Sequence, residues 1–482
     1  MPIRSLPAAL ALVTLLAPPA GAQRIAEHPR VREATAALDK WLDGQRAFKQ
    51  IPGITAGVVV DQQLIWEGAY GFADLSRKTP VTVDHLYSIC SISKLFTSLA
   101  LLQLRDQGRL RLDDPITKHL PWFTPPAGAP NDGPITVEGL LTHTAGLQAE
   151  AADDYWLEPG MTFPTDADIV KAVADRELQY RPGTYISYSN LGFTLAGAVV
   201  AAASGQSYQA YVRANLLEPL GLGSTSPDMP AGERGRRLVT GYSGIDRNLS
   251  RRPMPFYQTK AMASAAGYAS NVRDLARFAS WQFRLLAKGG TEVLRASTLR
   301  EMQRVHFLDP EWKSSWGLGF MVWRRGEQTF VGHGGSCPGY RTQLLLKPEE
   351  KVATIAMANT FDADATGLAQ QAYSLLGPAI KEALADTAGK TPPPDPVLDR
   401  YLGSYWSFGG EMEVIRWQGG LATMQIPSDD PVATIQKYRK VGEHTFRRIR
   451  TDGELAERMV FDLGPDGRPI RARTNYLMAR LR

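Results

Sequence analysis

Apolar and polar positions change period several times along this chain, and each change predicts a different element. From Val31 to Phe48 the apolar residues recur at helical spacing, an amphipathic helix. The next stretch, ITAGVVVDQQLIWEGAYGFAD at 54–74, holds two β-rich runs around Asp61-Gln62 and predicts a hairpin. An apolar helix then runs from Ser91 to about Gln107 and stops at Gly108. Residues 110–310 break often at Pro and Gly and read as helices and loops. From Trp316 to Asn359 the texture becomes strand-like. WGLGFMVWRR, EQTFVGHGG, YRTQLLLK and KVATIAMAN follow one another, with short turns at Gly326 and at Pro348-Glu349. A helix over about Asp362 to Ala385 closes this part.

The order predicts an α+β fold. An early hairpin and a late meander make one antiparallel sheet, helices from both ends cover a face of it, and a helical insert fills the middle. GKTPPPDP opens a Pro-rich linker at 389–398. Residues 399–482 are short strands broken by Gly, Asp-Gly and Pro, which predict a separate small barrel-like β-domain. The larger unit is then 23–388.

The first 22 residues stand apart. Arg4, an apolar run from Leu6 to Leu16 and Ala20-Gly21-Ala22 form the pattern of a cleavable signal peptide. The run is too short to span a bilayer, which takes about 20 apolar residues. No later segment is long enough either, so the expected product is secreted or periplasmic, with no membrane span. The formal net charge is +5, and the leader carries one of those charges. The basic clusters, such as Arg234, Arg236 and Arg237, are short. A nucleic-acid groove needs a concentrated stripe, so no nucleic-acid partner is expected. The seven histidines are scattered and no His-Glu-x-x-His occurs, so no metal and no cofactor are expected.

Candidate chemistry begins with YSICSISKLF at 87–96. Ser91 and Lys94, three apart, share one face of a helix and can touch. A serine hydroxyl is a weak nucleophile without a base beside it. A lysine serves as that base only when burial or a nearby cation lowers its pKa. Alone, the pair reads more readily as a plain N-cap and a solvated lysine. No serine lies in a Gly-x-Ser-x-Gly elbow, which removes the commonest rival motif. Two more motifs follow in order: Tyr188-Ser189-Asn190 and His333-Gly334-Gly335.

With these three motifs the chain resembles the serine β-lactamase and DD-peptidase superfamily, in its class C β-lactamase, esterase and D-aminopeptidase-like branch. The resemblance covers about 45–380 and extends to LLQLRDQGRLRLDDPI, ITVEGLLTHTAGL, RPGTYISYSNLGF and LLEPLGLGST. It implies a β-lactamase-like fold, with Ser91 as acylated nucleophile and Lys94 and Tyr188 sharing the roles of base and acid. Asn190 would orient the lysine or a substrate amide. The backbone N–H groups of Ser91 and Ser336 would form an oxyanion hole, with Gly335 letting substrate approach the strand.

His333 stands where many members of that superfamily carry lysine. An ordinary imidazole is only partly charged at neutral pH, which favours peptidase or esterase chemistry over efficient β-lactam hydrolysis. Arg341, on the next strand, is a candidate carboxylate binder or a plain surface arginine. His143 reads as structural. The resemblance also sets Cys90 and Cys337 side by side, and export favours a disulfide between them. The expected partner is a small-molecule or peptide substrate: an ester, a D-amino-acid peptide or a β-lactam. The rival expectation is a slow or inactive penicillin-binding-like sensor or scaffold. The sequence gives no signal of oligomeric state.

Overall fold

The computed structural model describes residues 20–124, 133–152, 155–156, 160–173 and 177–481. The leader expected over 1–22 lies, up to residue 19, outside the described residues.

A nine-stranded antiparallel sheet organises the first 385 residues. Its order is Thr79–Pro80, Gln63–Asp74, Gly53–Val60, Val352–Ala358, Tyr340–Lys347, Gln328–Cys337, Met321–Arg325, Ser315–Trp316 and Phe307–Leu308. The early hairpin and the late meander therefore meet at the centre. Ile54 faces Tyr70 on one side and Ala358 on the other. Two of the hairpin turns use a non-glycine residue at positive φ: Asp61 opens the turn after Gly53–Val60, and Lys351 closes the one before Val352–Ala358.

Strand Gly53–Val60 is buried along its length because both faces of the sheet are covered. Ile54, Ala56, Val58 and Val60 join a core with Val31, Leu38, Trp41 and Leu42 of helix Pro29–Phe48. Leu368, Leu375 and Leu376 of helix Ala365–Ala385 complete that core. Val59 points the other way, into a larger core with Leu95 and Leu99 of helix Ser93–Asp106 and Leu275 and Phe278 of helix Val272–Lys288. This is the α+β arrangement the periodicities predict. The C-terminal one of these helices begins slightly later than its expected start, at Ala365, because the Asp364 side chain caps it by accepting from Gly367 N.

Residues 403–480 form a closed eight-stranded barrel, sealed where Gly403–Ser407 pairs with Leu477–Arg480. Tyr401, Tyr405, Phe446, Met459 and Phe461 fill it. The barrel is not detached. Ile415, Ala422, Met424 and Ile426 on its outside belong to the same core as helix Pro29–Phe48. Trp41 Nε1 donates to Ser428 O at 2.8 Å, and both Glu33 oxygens accept from Gly419 N at 3.1 Å. Among the described residues, no helix is long and apolar enough to cross a membrane.

Candidate active site

The chain tightens just before the buried helix Ser93–Asp106. Ile89 N donates to Tyr268 O at 2.8 Å, and a single 3₁₀ turn, Cys90–Ile92, follows. Ser91 thus precedes the α-helix rather than starting it. Cys90 sits at φ 49°, a conformation sparsely populated by non-glycine residues and costing about 1–3 kcal/mol. Ser93 Oγ holds the turn, donating to Cys90 O and accepting from Tyr268 N.

Nearly every side chain of that helix is buried, and Lys94 is buried with them at 0 % exposure. Its Nζ lies 3.1 Å from Ser91 Oγ, 2.6 Å from Asn190 Oδ1 and 2.8 Å from Ala265 O. Burial pulls its pKa down to about 7, against the opposing charge of Glu150. A neutral amine has two N–H donors and one lone pair. Those donors match the Asn190 and Ala265 oxygens, which leaves the lone pair for the Ser91 hydroxyl.

Asn190 opens helix Asn190–Ser204, which Ser189 caps by accepting from Gly192 N. The Asn190 amide cannot turn freely. Nδ2 donates to Glu150 Oε1 at 2.5 Å, and Tyr155 OH donates to the other Glu150 oxygen. The run Lys94–Asn190–Glu150–Tyr155 is therefore one hydrogen-bonded series. Glu150 and the Ala265 carbonyl carried no sequence signal.

Tyr188 is 38 % exposed. Desolvation, with help from Glu150, holds its phenol well above the ordinary value, while a hydrogen bond with Ser91 works the other way. Lys94 Nζ is 4.9 Å from the centre of its ring. Behind Tyr188 lies His143, stacked at 4.3 Å, and Trp316 touches both rings. Trp316 was read only as the start of a strand.

His333 is 2 % exposed and carries no charge at neutral pH. Burial and the nearby Lys94 push its pKa down to about 3. It is thus not the partial cation that an ordinary imidazole would be. Of the two readings of Arg341, the structure favours the plain arginine over the carboxylate binder. Arg341 pairs with Ser336 in register, one residue from Thr342, whose Oγ1 donates to Ile89 O on the Ser91 side. Alternation sends Arg341 to the opposite face. There it stacks on Phe361 at 4.5 Å and donates to Phe361 O.

Strand Gln328–Cys337 runs past the Ser91 turn. A Cβ at Gly335 would stand 2.3 Å from Ile89 O and 2.1 Å from Thr342 Oγ1, so only glycine fits. Met321–Arg325 covers its outer edge only as far as Gly332. From His333 to Cys337 that edge pairs with no strand among the described residues. Ser336 is exposed there, and Cys337 is bonded to Cys90. The structure thus brings Ser91, Lys94, Tyr188, Asn190 and His333 together, with Gly335 and Ser336 on the strand that passes the Ser91 turn.

The Beta-lactamase family model matches residues 38–377. Penicillin-binding protein 4 of Amycolatopsis lactamdurans is 30% identical over 326 residues, 66% of this chain and 83% of that protein. Protein flp of Staphylococcus aureus (strain N315) is 25% identical over 331 residues; the match takes in 67% of this chain but only 62% of that protein's length. Among solved structures, the octameric penicillin-binding protein homologue from Pyrococcus abyssi superposes with a TM-score of 0.63 at 22% identity, covering 92% of this chain and all of that one (100%). A D-stereospecific amidohydrolase from Streptomyces sp. gives 0.59 at 27% identity, covering 70% and 97%.

Proposed function

The chain belongs to the Beta-lactamase family, and from that premise we propose that it hydrolyses esters or amides through an acyl-enzyme on Ser91. One observation carries the proposal: a fully buried amine, held down to about pKa 7, reaches the Ser91 hydroxyl at 3.1 Å. Neutral Lys94 takes the Ser91 proton as Oγ attacks the substrate carbonyl. The N–H groups of Ser91 and Ser336 receive the developing oxyanion. Tyr188, still protonated at neutral pH, gives its proton to the leaving group and is restored by the proton Lys94 took from Ser91, so acylation ends with Lys94 neutral and the phenol intact. Water then releases the acyl group by the reverse proton path.

The substrate class follows from what the cleft does not offer. Lys94 is committed to Ser91, Asn190 and Ala265, His333 is neutral, and Arg341 leaves by the other face. A free substrate carboxylate therefore finds no fixed cation in Lys94, His333 or Arg341. That favours short-chain esters and amides, D-amino-acid amides included, over β-lactams. The likeness to a D-stereospecific amidohydrolase supports the amide side. The leader pattern and the disulfide support an exported enzyme.

Intact mass after incubation with a fluorophosphonate, and separately with a β-lactam, tests this. The expected result is one adduct on Ser91 and turnover of p-nitrophenyl esters or a D-alanyl anilide. No adduct with either reagent would overturn it in favour of a scaffold.

A further inference from the structure

The Ala265 carbonyl that receives Lys94 Nζ at 2.8 Å belongs to an irregular piece of chain. A 3₁₀ turn, Lys260–Met262, runs straight into a single π-helical turn, Ala263–Gly267. The last carbonyls of a helical turn find no partner inside it, and Lys94 supplies one for Ala265 O. That oxygen is only as well placed as the turn that carries it. Helix Ser93–Asp106 ties the far end: Thr97 Oγ1 donates to Ser264 O at 2.6 Å, and Ser93 Oγ accepts from Tyr268 N at 3.0 Å.

Asp228 ties the near end. Its Oδ1 accepts from Met229 N at 2.8 Å, Thr259 N at 3.0 Å and Thr259 Oγ1 at 3.2 Å, and its Oδ2 accepts from Lys260 N at 3.1 Å. None of these four donors is a charged side chain, so the carboxylate organises backbone rather than answering a cation. Lys260 stands at φ 49°, a left-handed conformation that costs a non-glycine residue about 1–3 kcal/mol and persists only where its surroundings impose it. Asp228 Oδ2 holds the N–H of that same residue. The Thr259 hydroxyl reaches further along the turn. It lies 2.2 Å from where a Cβ on Gly267 would stand, so it packs against the last residue of the π turn.

We propose that Asp228 is a positioning residue for Lys94, setting the turn from Thr259 to Gly267 so that Ala265 O meets Nζ. It acts through one carbonyl, not on the reacting atoms. A carboxylate suits this because its two oxygens share the four donors; an amide accepts on one oxygen and turns N–H against N–H at the other. A carbonyl beside an ammonium favours the charged form. Moving Ala265 O away therefore leaves Lys94 less well aimed and easier to deprotonate. The effect on turnover rests on the reading of Lys94 as the base for Ser91; the placement of Nζ does not.

Asp228→Asn and Thr259→Val each weaken the brace, whereas Thr259→Ser keeps the hydroxyl. With p-nitrophenyl esters the two weakened variants should lose about tenfold in kcat, with KM changed less than about threefold, because a small misplacement of reacting groups is expensive. Thr259→Ser should behave as wild type. The acid limb of kcat/KM should move to lower pH in both weakened variants, and Thr259→Val alters no charge, so its shift cannot come from a lost carboxylate. In a Lys94→Ala background neither change should slow fluorophosphonate labelling of Ser91 further, since groups acting as one unit are not additive. A lower Tm with unchanged kcat and an unmoved limb overturns the proposal, as does a further loss in the Lys94→Ala background. If Asp228→Asn does not fold, Thr259→Val decides alone. Spectra of the ¹⁵N-lysine-labelled protein titrate the Lys94 amine directly, and its pKa should be lower in Thr259→Val than in wild type. If the wild type forms no Ser91 adduct, the acyl-enzyme reading has failed, and this titration still decides whether the brace places Nζ.

Discussion

Cys90 and Cys337 are bonded across the site, their Cα atoms 5.8 Å apart although 247 positions separate them in sequence. The bond joins the residue before Ser91 to the residue after Ser336. It therefore pins the Ser91 turn against the open strand edge, and holds Cys90 in its unfavourable backbone conformation. Replacing both by serine should cost about 2–4 kcal/mol of stability, typical for a removed disulfide. At 25 °C the variant should still fold by circular dichroism. Ester turnover should nonetheless drop at least about tenfold, because a small misplacement of reacting groups is expensive. Full activity in the folded double variant would mean that the bond serves stability alone.

Ser91→Ala should abolish both turnover and the fluorophosphonate adduct. Lys94→Ala and Tyr188→Phe should each reduce kcat/KM by about 10²–10⁴, the range for removing a general base or acid. Lys94→Ala also strands the Asn190 and Ala265 oxygens that Nζ now meets. Thermal melts must accompany the kinetics, so that lost chemistry is separated from lost fold.

Activity should rise with pH through about 7. Lys94 accepts the Ser91 proton only when neutral, and its pKa lies at about 7. Below that value kcat/KM should fall about tenfold per pH unit, as for one essential base. His333, at about 3, titrates too low to shape this limb. The charge of Glu150 holds the Lys94 pKa up. Glu150→Gln should therefore move the acid limb to lower pH while keeping the amide contact to Asn190. A limb that stays in place, or moves upward, would separate it from Lys94. The same burial acts on folding. Between about 7 and the ordinary lysine value near 10.4 the unfolded chain binds the extra proton, so this group's contribution to stability improves as pH rises through that window.

Much of this site was legible in the residues because its parts are short motifs on strong elements. Alternation gave the hairpin and the meander, on which His333 sits, while Ser91, Lys94 and Tyr188 lie in or just before helices. Glu150, His143 and Ala265 were not legible as site groups. They lie in loops and irregular turns with no period, and they act through a carboxylate contact, a ring face and a backbone carbonyl, none of which leaves a pattern. The charge state of His333 was likewise out of reach, since it depends on burial that only packing reveals. Arg341 was within reach. Strand parity sets it opposite to Thr342, so its face follows once the strand is accepted.

The attachment of the barrel was also hidden, because an apolar helix face does not say what will cover it. Helix Pro29–Phe48 turns Gly44 towards the barrel, where a Cβ would stand 2.3 Å from Ile426 Cγ2. Contact this close explains why Ile415, Ala422, Met424 and Ile426 share a core with that helix. Gly44→Val should force the two apart, an overpacking cost of about 1–3 kcal/mol. A chain ending at residue 388 should expose that apolar face of the helix along with the Trp41 N–H that now donates to Ser428 O. The expected outcome is a lower Tm for Gly44→Val, and aggregation or strong dye binding for the truncated chain. Ser91 lies between Cys90 and Ile92 of the other core, across the sheet from the core that the barrel joins. Gly44→Val should therefore keep near-normal kcat/KM at temperatures where it is folded. If the truncated chain melts like the full one, the barrel is an independent appendage and this contact carries no weight in the fold.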